Sequence, residues 1–346
     1  MVKADGYGHG MIPIVRFAAL ELGIKQFGCA TLGEALTLRE ELPDLDTEIY
    51  VFSDVQVELK DCTDFYLHRR IIPVLSNFHD LEFILDHKDF RHFPLCLKFN
   101  TGMNRLGLDY ESSEQVITKI LKSGRREIFH LMTHYASSSK SMEEDAQNLL
   151  QKSRFENLIK EIQAAGIKIT ATSTANTGAI SQQSGTLDTH LRPGLMMYGP
   201  TSLAPELRPQ SLWRGKLISQ LETYIIKVFP IKKGECIGYG ATQVQSDGVI
   251  AIIALGYGDG FSTRFMGARL NHQGHEGVVT GRVNMDMAHV HFPMSALKDL
   301  KVGDKFIVWG HDPGPFYRLS EETKTLTYEL FCQLTSRVPR VHRTSP

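Results

Sequence analysis

The sequence is poor in cysteine, and its few cysteines are not arranged for cross-linking or for metal binding. Its 346 residues include five cysteines, and no two of them form a C-x-x-C pair. Scattered cysteines in an odd number argue against a disulfide framework and against a zinc cluster. We therefore expect no bound metal ion.

Long hydrophobic runs are also missing. The longest, VIAIIAL at 249–255, is far shorter than the roughly 20 residues that a helix needs to cross a bilayer. The opening residues, MVKADGYGHG, contain no apolar core of a signal peptide. These two absences favour a cytoplasmic protein with no membrane partner.

Neither sign of charge is in excess. The chain has 38 Lys and Arg against 39 Asp and Glu, which gives a net charge of −1. Nucleic-acid-binding proteins carry a basic surface, so we expect no nucleic acid partner. Hydrophobic residues make up 42% of the chain, as in an ordinary globular protein, and the length favours two domains.

Short strand-like runs alternate with helical patterns between residues 27 and 199, and this alternation predicts a parallel sheet. The clearest helix is predicted over 145–166, where apolar residues recur with helical spacing from Phe155 and Gly166 stands at the end. The predicted strands are FGCAT (27–31), EIYVFS (48–53), IIPVL (71–75), PLCLKF (94–99), IFHLMTHY (128–135), KITATST (168–174) and HLRPGLMMYG (190–199).

The predicted fold class is α/β, with a (β/α)8 TIM-like barrel over residues 1–205. Seven strands are one fewer than such a barrel has. The one that is largely missing is strand 1, whose end we place at the MV before Lys3. A mainly β C-terminal domain is predicted over 213–346, with no convincing helix before 320–338. The stretch 199–212, rich in Pro and Ser, is typical of a linker.

Several reactive or charged side chains fall at the predicted strand ends, where barrel enzymes place their functional groups. They are Lys3, Arg105, His134 and Arg192. A strand-end lysine can form an imine with a carbonyl group, although a single lysine is more often a solvated surface residue. A lone histidine is likewise more often a core residue. Their shared position at the strand ends favours a site.

Two loops of the predicted barrel have the composition of a phosphate site. STANTG (173–178) and RPGLMMYG (192–199) follow the seventh and eighth strands, whose loops often bind phosphate in barrels. Small hydroxyl residues, Asn176 and exposed backbone N–H groups suit that task, but each loop alone is equally consistent with an ordinary turn.

The C-terminal domain contributes tyrosines between glycines. Tyr239 lies in GYGAT and Tyr257 in GYGDGF, and NMDM follows at 284–287. A tyrosine in such a setting usually belongs to a turn, yet a phenol near cations can also serve as an acid or base.

Taken together, the sequence resembles alanine racemase, a fold type III family. The blocks VKADGYGHG, NTGMNRLG, THYA, TANTG, RPGLMMYG, GYGAT, GYGDG, NMDM, LTYE and SRVPRV occur in that family's order and extend over essentially the whole chain. The resemblance implies pyridoxal phosphate (PLP) as cofactor, a barrel with a C-terminal β domain, and a head-to-tail homodimer whose active site is shared between subunits.

The resemblance also implies a role for each matching residue. Lys3 would bind PLP as an imine and act as one catalytic base, and Tyr239 of the partner subunit would act as the other. Arg192 would face the pyridine nitrogen, and His134 would lie against the ring. The residues implied around the phosphate are Tyr7, Asn176, Thr177, Gly194, Leu195 and Tyr328, and those implied at the substrate are Arg105, Met285 and Tyr257.

One position departs from the family pattern. Lys98 matches a lysine that is carbamylated in some members, but Asn100 stands where many members carry Asp. How Lys98 and Arg105 are held is therefore open.

The implied activity is the interconversion of L-alanine and D-alanine, which supplies D-alanine for cell-wall peptidoglycan. PLP lowers the barrier to losing the α-proton, and two bases on opposite faces exchange that proton without moving the substrate. Lys3 is expected to serve D-alanine and Tyr239 L-alanine. Arg192 does not release its proton, so the ring nitrogen facing it is expected to stay unprotonated.

The sequence is also compatible with other functions. A broad-specificity amino-acid racemase is the runner-up, because a single sequence decides little about substrate access. PLP-dependent decarboxylases match RPGLMMYG and GYGAT less well, and a single-barrel PLP carrier would lack the β domain. Family members also carry a strand–helix segment before this lysine. We therefore expect a longer natural product, with an inactive truncated fragment as a further alternative.

Overall fold

The computed structural model describes residues 1–185 and 187–343. The chain divides into two compact units. The barrel unit comprises Met1–Met197 and Thr201–Arg214, and the β unit comprises Tyr198–Pro200 and the chain from Gly215 onward. The stretch 199–212, whose composition favours a linker, is divided between the two units.

The strands of the barrel unit pair in parallel, as the sequence predicts. Their orders are β1-β2-β3 and β5-β4-β6-β7, and a parallel bridge between Leu75 and Leu97 connects the two groups. The strands are β1 (Gln26–Thr31), β2 (Glu48–Asp54), β3 (Ile71–Pro73), β4 (Cys96–Asn100), β5 (Leu108–Asp109), β6 (Glu127–Met132) and β7 (Lys168–Ser173).

Helices lie before, between and after these strands. They are α1 (Lys3–Tyr7), α2 (Met11–Leu20), α3 (Leu32–Glu41), α4 (Lys60–His68), α5 (Phe78–Asp86), α6 (Ser113–Lys122), α7 (Ala146–Ala164) and α8 (Thr177–Ser181). The predicted helix at 145–166 is confirmed as α7: Asp145 caps its first turn, Phe155 lies in the core, and Gly166 follows with a φ of 76°.

The eighth predicted strand, at 190–199, is wrong over most of its length. His190 and Arg192 still donate backbone hydrogen bonds to the carbonyls of Thr172 and Ala175 beside β7. Beyond them the chain turns into a short 3₁₀ helix, Leu195–Tyr198. The physical reason is Pro193, which has no N–H to donate to a strand neighbour.

The first two residues lie beside β1. The N–H of Val2 donates to the carbonyl of Gly28 at 2.9 Å, and the side chain of Val2 is fully buried. The amino group of Met1 donates to the carbonyl of Pro193 at 3.0 Å. This short stretch therefore contacts both β1 and the segment after β7, and α1 follows it directly.

The β unit is mainly antiparallel sheet, as predicted. Six strands pair in the order β12-β13-β14-β11-β8-β15, and β9 and β10 form a separate hairpin. The strands are β8 (Leu221–Ile231), β9 (Cys236–Ile237), β10 (Thr242–Gln243), β11 (Gly248–Ile253), β12 (Arg269–His272), β13 (His275–Val279), β14 (Ala288–Phe292) and β15 (Lys305–Trp309).

Two helices follow, and they correct the single helix predicted over 320–338. They are α9 (Pro313–Thr323) and α10 (Thr327–Cys332). The first begins earlier than predicted because the Asp312 side chain caps it by accepting from the N–H of Gly314 at 2.9 Å. It ends at Lys324, whose left-handed backbone separates the two helices. No helix of the described residues is both long and apolar enough to cross a membrane.

Candidate active site

Lys3 begins a tight turn and is not on a flexible stretch. The backbone of Ala4, Asp5 and Gly6 is left-handed, with φ of 52°, 51° and 61°. Each L-residue in this conformation costs about 1–2 kcal/mol, so the surroundings must impose it. They do so through two carboxylates: Glu34 accepts from the N–H of Ala4, and Asp5 accepts from the N–H of Met11, both at 2.7 Å. The position of Lys3 is therefore fixed by the fold.

His134 lies within electrostatic reach of four cationic side chains of the barrel unit. Its pKa is held well below its usual value, mainly by burial and then by the charges of Arg192, Lys98, Arg105 and Lys3. The imidazole is therefore neutral at physiological pH. The residues that the sequence predicted at separate strand ends are thus brought to one place.

Lys98 lies on β4 and is buried, with 7% of its surface exposed. Burial, followed by the nearby charges of Arg105, Arg192 and Lys3, lowers the pKa of its amine to about 8. A substantial fraction of Lys98 is therefore uncharged at mildly alkaline pH, as a lysine that reacts as a nucleophile requires.

Asn100 folds the loop that carries Arg105. Its Oδ1 accepts from the N–H groups of Gly102 and Asn104 at 3.1 and 2.9 Å, and its Nδ2 donates to Oδ1 of Asn104 at 3.1 Å. None of these hydrogen bonds reaches Lys98 or Arg105. Asn100, which replaces the Asp of many family members, therefore shapes the loop in this chain.

Thr177 and Tyr7 meet at Gly194, where the sequence predicts the phosphate site. The hydroxyl of Thr177 accepts from the N–H of Gly194 at 3.1 Å and from that of Met196 at 3.4 Å. A Cβ atom at position 194 would lie 2.5 Å from the Tyr7 hydroxyl, so any larger residue there would displace that hydroxyl. Leu195 is fully buried directly after it.

Asn176 connects this region to His134. Its Oδ1 caps α8 by accepting from the N–H of Ala179 at 3.3 Å. Its Nδ2 lies 3.4 Å from Nε2 of His134 and donates to the carbonyl of Tyr135 at 3.3 Å. The loop after β7 and the end of β6 are therefore joined through this side chain.

Arg192 is half-buried among hydrogen-bond acceptors. Its Nη1 donates to the hydroxyl of Ser173, and its Nη2 donates to the carbonyls of Thr133 and Thr174. Burial lowers the pKa of its guanidinium to about 10, so the group stays charged at neutral pH. Among the described residues, its Nε–H and the second hydrogen of Nη1 have no acceptor.

In the β unit, Tyr239 lies on the turn between β9 and β10, and 72% of its surface is exposed. The turn is built by Gly238 and Gly240, whose φ values are 59° and 84°. A backbone hydrogen bond from Ala241 to Gly238 closes it at 3.3 Å. Within the β unit, the phenol therefore extends into solvent.

Tyr257 and Met285 are neighbours in the β unit. The N–H of Tyr257 donates to the carbonyl of Asn284, and that of Gly258 donates to Met285, both at 2.9 Å. Both side chains are about half exposed. Tyr328 lies apart from them, half-buried on α10. The structure thus pairs Tyr257 with Met285 and places Tyr239 and Tyr328 on other elements.

Sequence reasoning missed residues that hold these groups in place. Ser173 and His130 lie behind Arg192, and Gln151 lies behind His134. His130 could have been found, because it is four residues before His134 and side chains alternate along a strand. The described residues contain no group of three or more His, Cys, Asp or Glu side chains that could hold a metal ion.

Two family profiles match this chain and together cover most of it. The profile described as "Alanine racemase, N-terminal domain" matches residues 1–202, and the one described as "Alanine racemase, C-terminal domain" matches residues 218–342. The chain belongs to the alanine racemase family. The resemblance on which the sequence analysis relied is therefore confirmed over both units.

Individual alanine racemases match nearly the whole chain. That of Hahella chejuensis is 30% identical over 357 residues, which cover 99% of this chain and 90% of that protein. The alanine racemase structure from Acinetobacter baumannii has a TM-score of 0.81 at 28% identity, covering 97% of this chain and 90% of that one. The structure from Bartonella henselae with covalently bound pyridoxal phosphate has a TM-score of 0.82 at 24% identity, covering 98% and 90%, which shows a shared fold.

Proposed function

We propose that this chain is a PLP-dependent alanine racemase that interconverts L-alanine and D-alanine. The observation that carries the proposal is the neutral His134 surrounded by Lys3, Lys98, Arg105 and Arg192 in a chain of this family. Such a site attracts an anionic cofactor and a carboxylate substrate. The relatives named above are alanine racemases, and the Bartonella henselae protein carries covalently bound PLP.

The residues present fit PLP. Tyr7 and Thr177 bring two hydroxyl groups to Gly194, at a cradle that any Cβ would fill, and this suits a phosphate. Arg192 keeps two N–H groups that point in different directions, and one of them can donate to an acceptor such as a ring nitrogen. We assign Lys3 to the covalent attachment, His134 to the ring face, and Asn176, Leu195 and Tyr328 to the surroundings of the phosphate. When bound, PLP withdraws electrons from the carbon that loses its proton.

The chain's own residues then supply binding and proton transfer. Arg105 and the backbone of Met285 hold the substrate carboxylate, with Tyr257 beside them. The amine of Lys3 takes the α-proton of D-alanine on one face, and the phenol of Tyr239 takes that of L-alanine on the other. After one base has removed the α-proton from one face, the opposite base delivers a proton to the other face. The substrate therefore does not need to rotate in the site.

We further propose that Tyr239 acts in the partner subunit of a homodimer. A phenol that is 72% exposed on a glycine-built turn has few contacts in its own unit, as expected of a group that completes a neighbour's site. Tyr257 and Met285 are also exposed and belong to the same proposal. The proposal also includes a barrel domain over 1–205 and a C-terminal domain over 213–346. It further includes a cytoplasmic location and the supply of D-alanine to peptidoglycan.

A broad-specificity racemase is the second candidate, carried over from the sequence analysis. One experiment addresses the function directly. The purified chain should show the visible absorption of bound PLP and should interconvert the alanine enantiomers faster than other small amino acids. Lys3→Ala should abolish both properties, and Lys25→Ala, at an exposed lysine, should retain them. A PLP adduct at wild-type level in Lys3→Ala would show that Lys3 is the wrong lysine.

A further inference from the structure

The charged group of Arg192 is held by one side chain and two backbone carbonyls. The carbonyls of Thr133 and Thr174 accept from Nη2, and the hydroxyl of Ser173 accepts from Nη1. Carbonyl positions are fixed by the strand ends, so the orientation of the guanidinium depends on where the Ser173 hydroxyl points. Ser173 is fully buried at the end of β7.

Behind Ser173 lies a buried histidine. The Nε2 atom of His130, on β6, is 2.8 Å from the hydroxyl oxygen of Ser173, and 4% of His130 is exposed. Burial lowers the pKa of His130 to about 3, with smaller contributions from His190 and Arg192, so the imidazole is neutral. Its Nδ1 is buried and has no hydrogen-bond partner among the described residues.

The charge of Arg192 fixes the direction of its hydrogen bond to Ser173. Arg192 can only donate, so the Ser173 oxygen accepts from it and the Ser173 hydroxyl proton is left to donate. We assign neutral His130 the tautomer with its proton on Nδ1, which accepts that bond at Nε2. The arrangement therefore runs from Arg192 to Ser173 to His130.

The His130 ring is itself held by aromatic neighbours. Its centroid is 5.9 Å from that of Tyr50 with the rings nearly perpendicular, and 4.9 Å from that of His190. The Tyr50 hydroxyl donates to Glu48 at 3.2 Å, which fixes that ring in turn. His130 is thus an immobile acceptor in the interior of the barrel unit.

We propose that Ser173 and His130 are positioning residues that fix the orientation of Arg192, so that one of its two remaining N–H groups serves the ring nitrogen of the cofactor. This inference rests on the proposed function for the identity of the cofactor. It adds two residues that have no contact with substrate in that scheme. Their effect should be specific to the ring nitrogen and should leave the rest of PLP binding intact.

The experiment compares the binding of PLP with that of its deaza analogue, in which C–H replaces the ring nitrogen. The probes differ only in the atom that Arg192 is proposed to face. A hydrogen bond to a charged group predicts that the wild type binds PLP about tenfold more tightly than the deaza analogue. Ser173→Ala and His130→Phe should reduce that preference to within about threefold, because the guanidinium loses its fixed orientation.

Two further variants separate positioning from packing. His130→Gln keeps an acceptor within reach of Ser173 and should restore part of the preference. Met132→Leu changes a buried residue of the same barrel interior with no polar role, and it should keep the wild-type preference. The visible absorption maximum of bound PLP should shift in Ser173→Ala and His130→Phe and stay constant in Met132→Leu.

The outcomes distinguish this proposal from the proposed function. If the wild type prefers PLP and both Ser173→Ala and His130→Phe keep that preference, the positioning role is wrong and the assignment of Arg192 stands. If the wild type binds both compounds equally, the assignment of Arg192 and this proposal are both overturned. If it binds neither, the proposed cofactor is wrong.

Discussion

The side-chain amide of Gln151 donates to the backbone carbonyl of His134 at 2.9 Å. The same amide donates to the hydroxyl of Thr101 at 3.2 Å, and its oxygen accepts from the N–H of Ala136 at 2.8 Å. Gln151 is fully buried on α7. One side chain therefore joins the loop that carries Arg105 to the strand end that carries His134.

We expect Gln151→Leu to destabilise the fold and to weaken substrate binding. Partly buried groups left unpaired cost about 1–3 kcal/mol, so the free energy of unfolding should fall by about that amount. The KM for alanine should rise several-fold, because Arg105 loses its fixed position. Urea unfolding and steady-state kinetics measure the two effects.

Lys152→Ala is the matched control for Gln151→Leu. Lys152 is exposed on the same helix, and its replacement should change the free energy of unfolding by less than about 0.5 kcal/mol. Equal stability and equal KM in Gln151→Leu and Lys152→Ala would contradict the assigned role of Gln151.

His130 should make the protein sensitive to acid. Its pKa is about 3 in the folded chain against 6.5 unperturbed, so below pH 6.5 the unfolded chain binds a proton that the folded chain does not. Stability is then lost as pH falls from about 6.5 towards 3, on the order of 2 kcal/mol by pH 5. Denaturant unfolding at pH 7 and pH 5 measures this loss. His130→Phe should lose less stability over that interval, and an unchanged loss would assign the acid sensitivity to other groups.

Lys98 should form a carbamate more readily as pH rises. Only the neutral amine reacts with carbon dioxide, and a pKa of about 8 makes about half of Lys98 neutral at pH 8 and about a tenth at pH 7. Carbon-13 NMR with labelled bicarbonate should show a carbamate signal that grows over this range and is absent in Lys98→Arg. A missing signal at pH 9 in the wild type would argue against carbamylation.

Arg337 should orient the loops of the β unit that carry Tyr257 and Met285. Its Nε lies 3.1 Å from Asp259, and its Nη1 lies 3.2 Å from Asp286. The side chain is half exposed, so these pairs contribute less than about 1 kcal/mol to stability. Arg337→Ala should therefore raise the KM for alanine with little change in unfolding.

Two variants test the geometry at Arg337. Arg337→Lys should bring the KM for alanine only part of the way back to the wild-type value, because an ammonium group does not reproduce the planar contact with two carboxylates. Arg264→Ala, at an exposed arginine in the same unit, should match the wild type. An equal rise of KM in Arg264→Ala would show that the effect is general loss of surface charge.

The sequence predicted the elements whose cause is local. The apolar spacing from Phe155 and the glycine at 166 give α7 its length, and alternation of strands and helices gives the parallel sheet. The strand at 190–199 failed because the pattern ignored the missing N–H of Pro193. The left-handed turn after Lys3 was also missed, since it depends on Glu34, which is 30 residues away from Ala4.

The sequence singled out the side chains that we propose for the site, but it did not single out the residues that hold them in place. Lys3, Arg105, His134 and Arg192 stand in recognisable motifs. His130 and Gln151 are polar residues within apolar-looking elements, and their partners are 43 and 17 positions away in the chain. Only the folded backbone brings such pairs together, so the alternation that places His130 on the same face as His134 does not identify Ser173 as its partner, and no local pattern assigns Gln151 to His134.

The central claim is that Lys3 of one subunit and Tyr239 of the other form one racemising site. Mixing Lys3→Ala chains with Tyr239→Phe chains tests it most directly, because one site of each mixed dimer keeps both groups. The account predicts that each variant alone is almost inactive and that alanine racemisation returns once mixed dimers form. Mixed dimers that are shown to form and yet remain as inactive as the separate variants would contradict it.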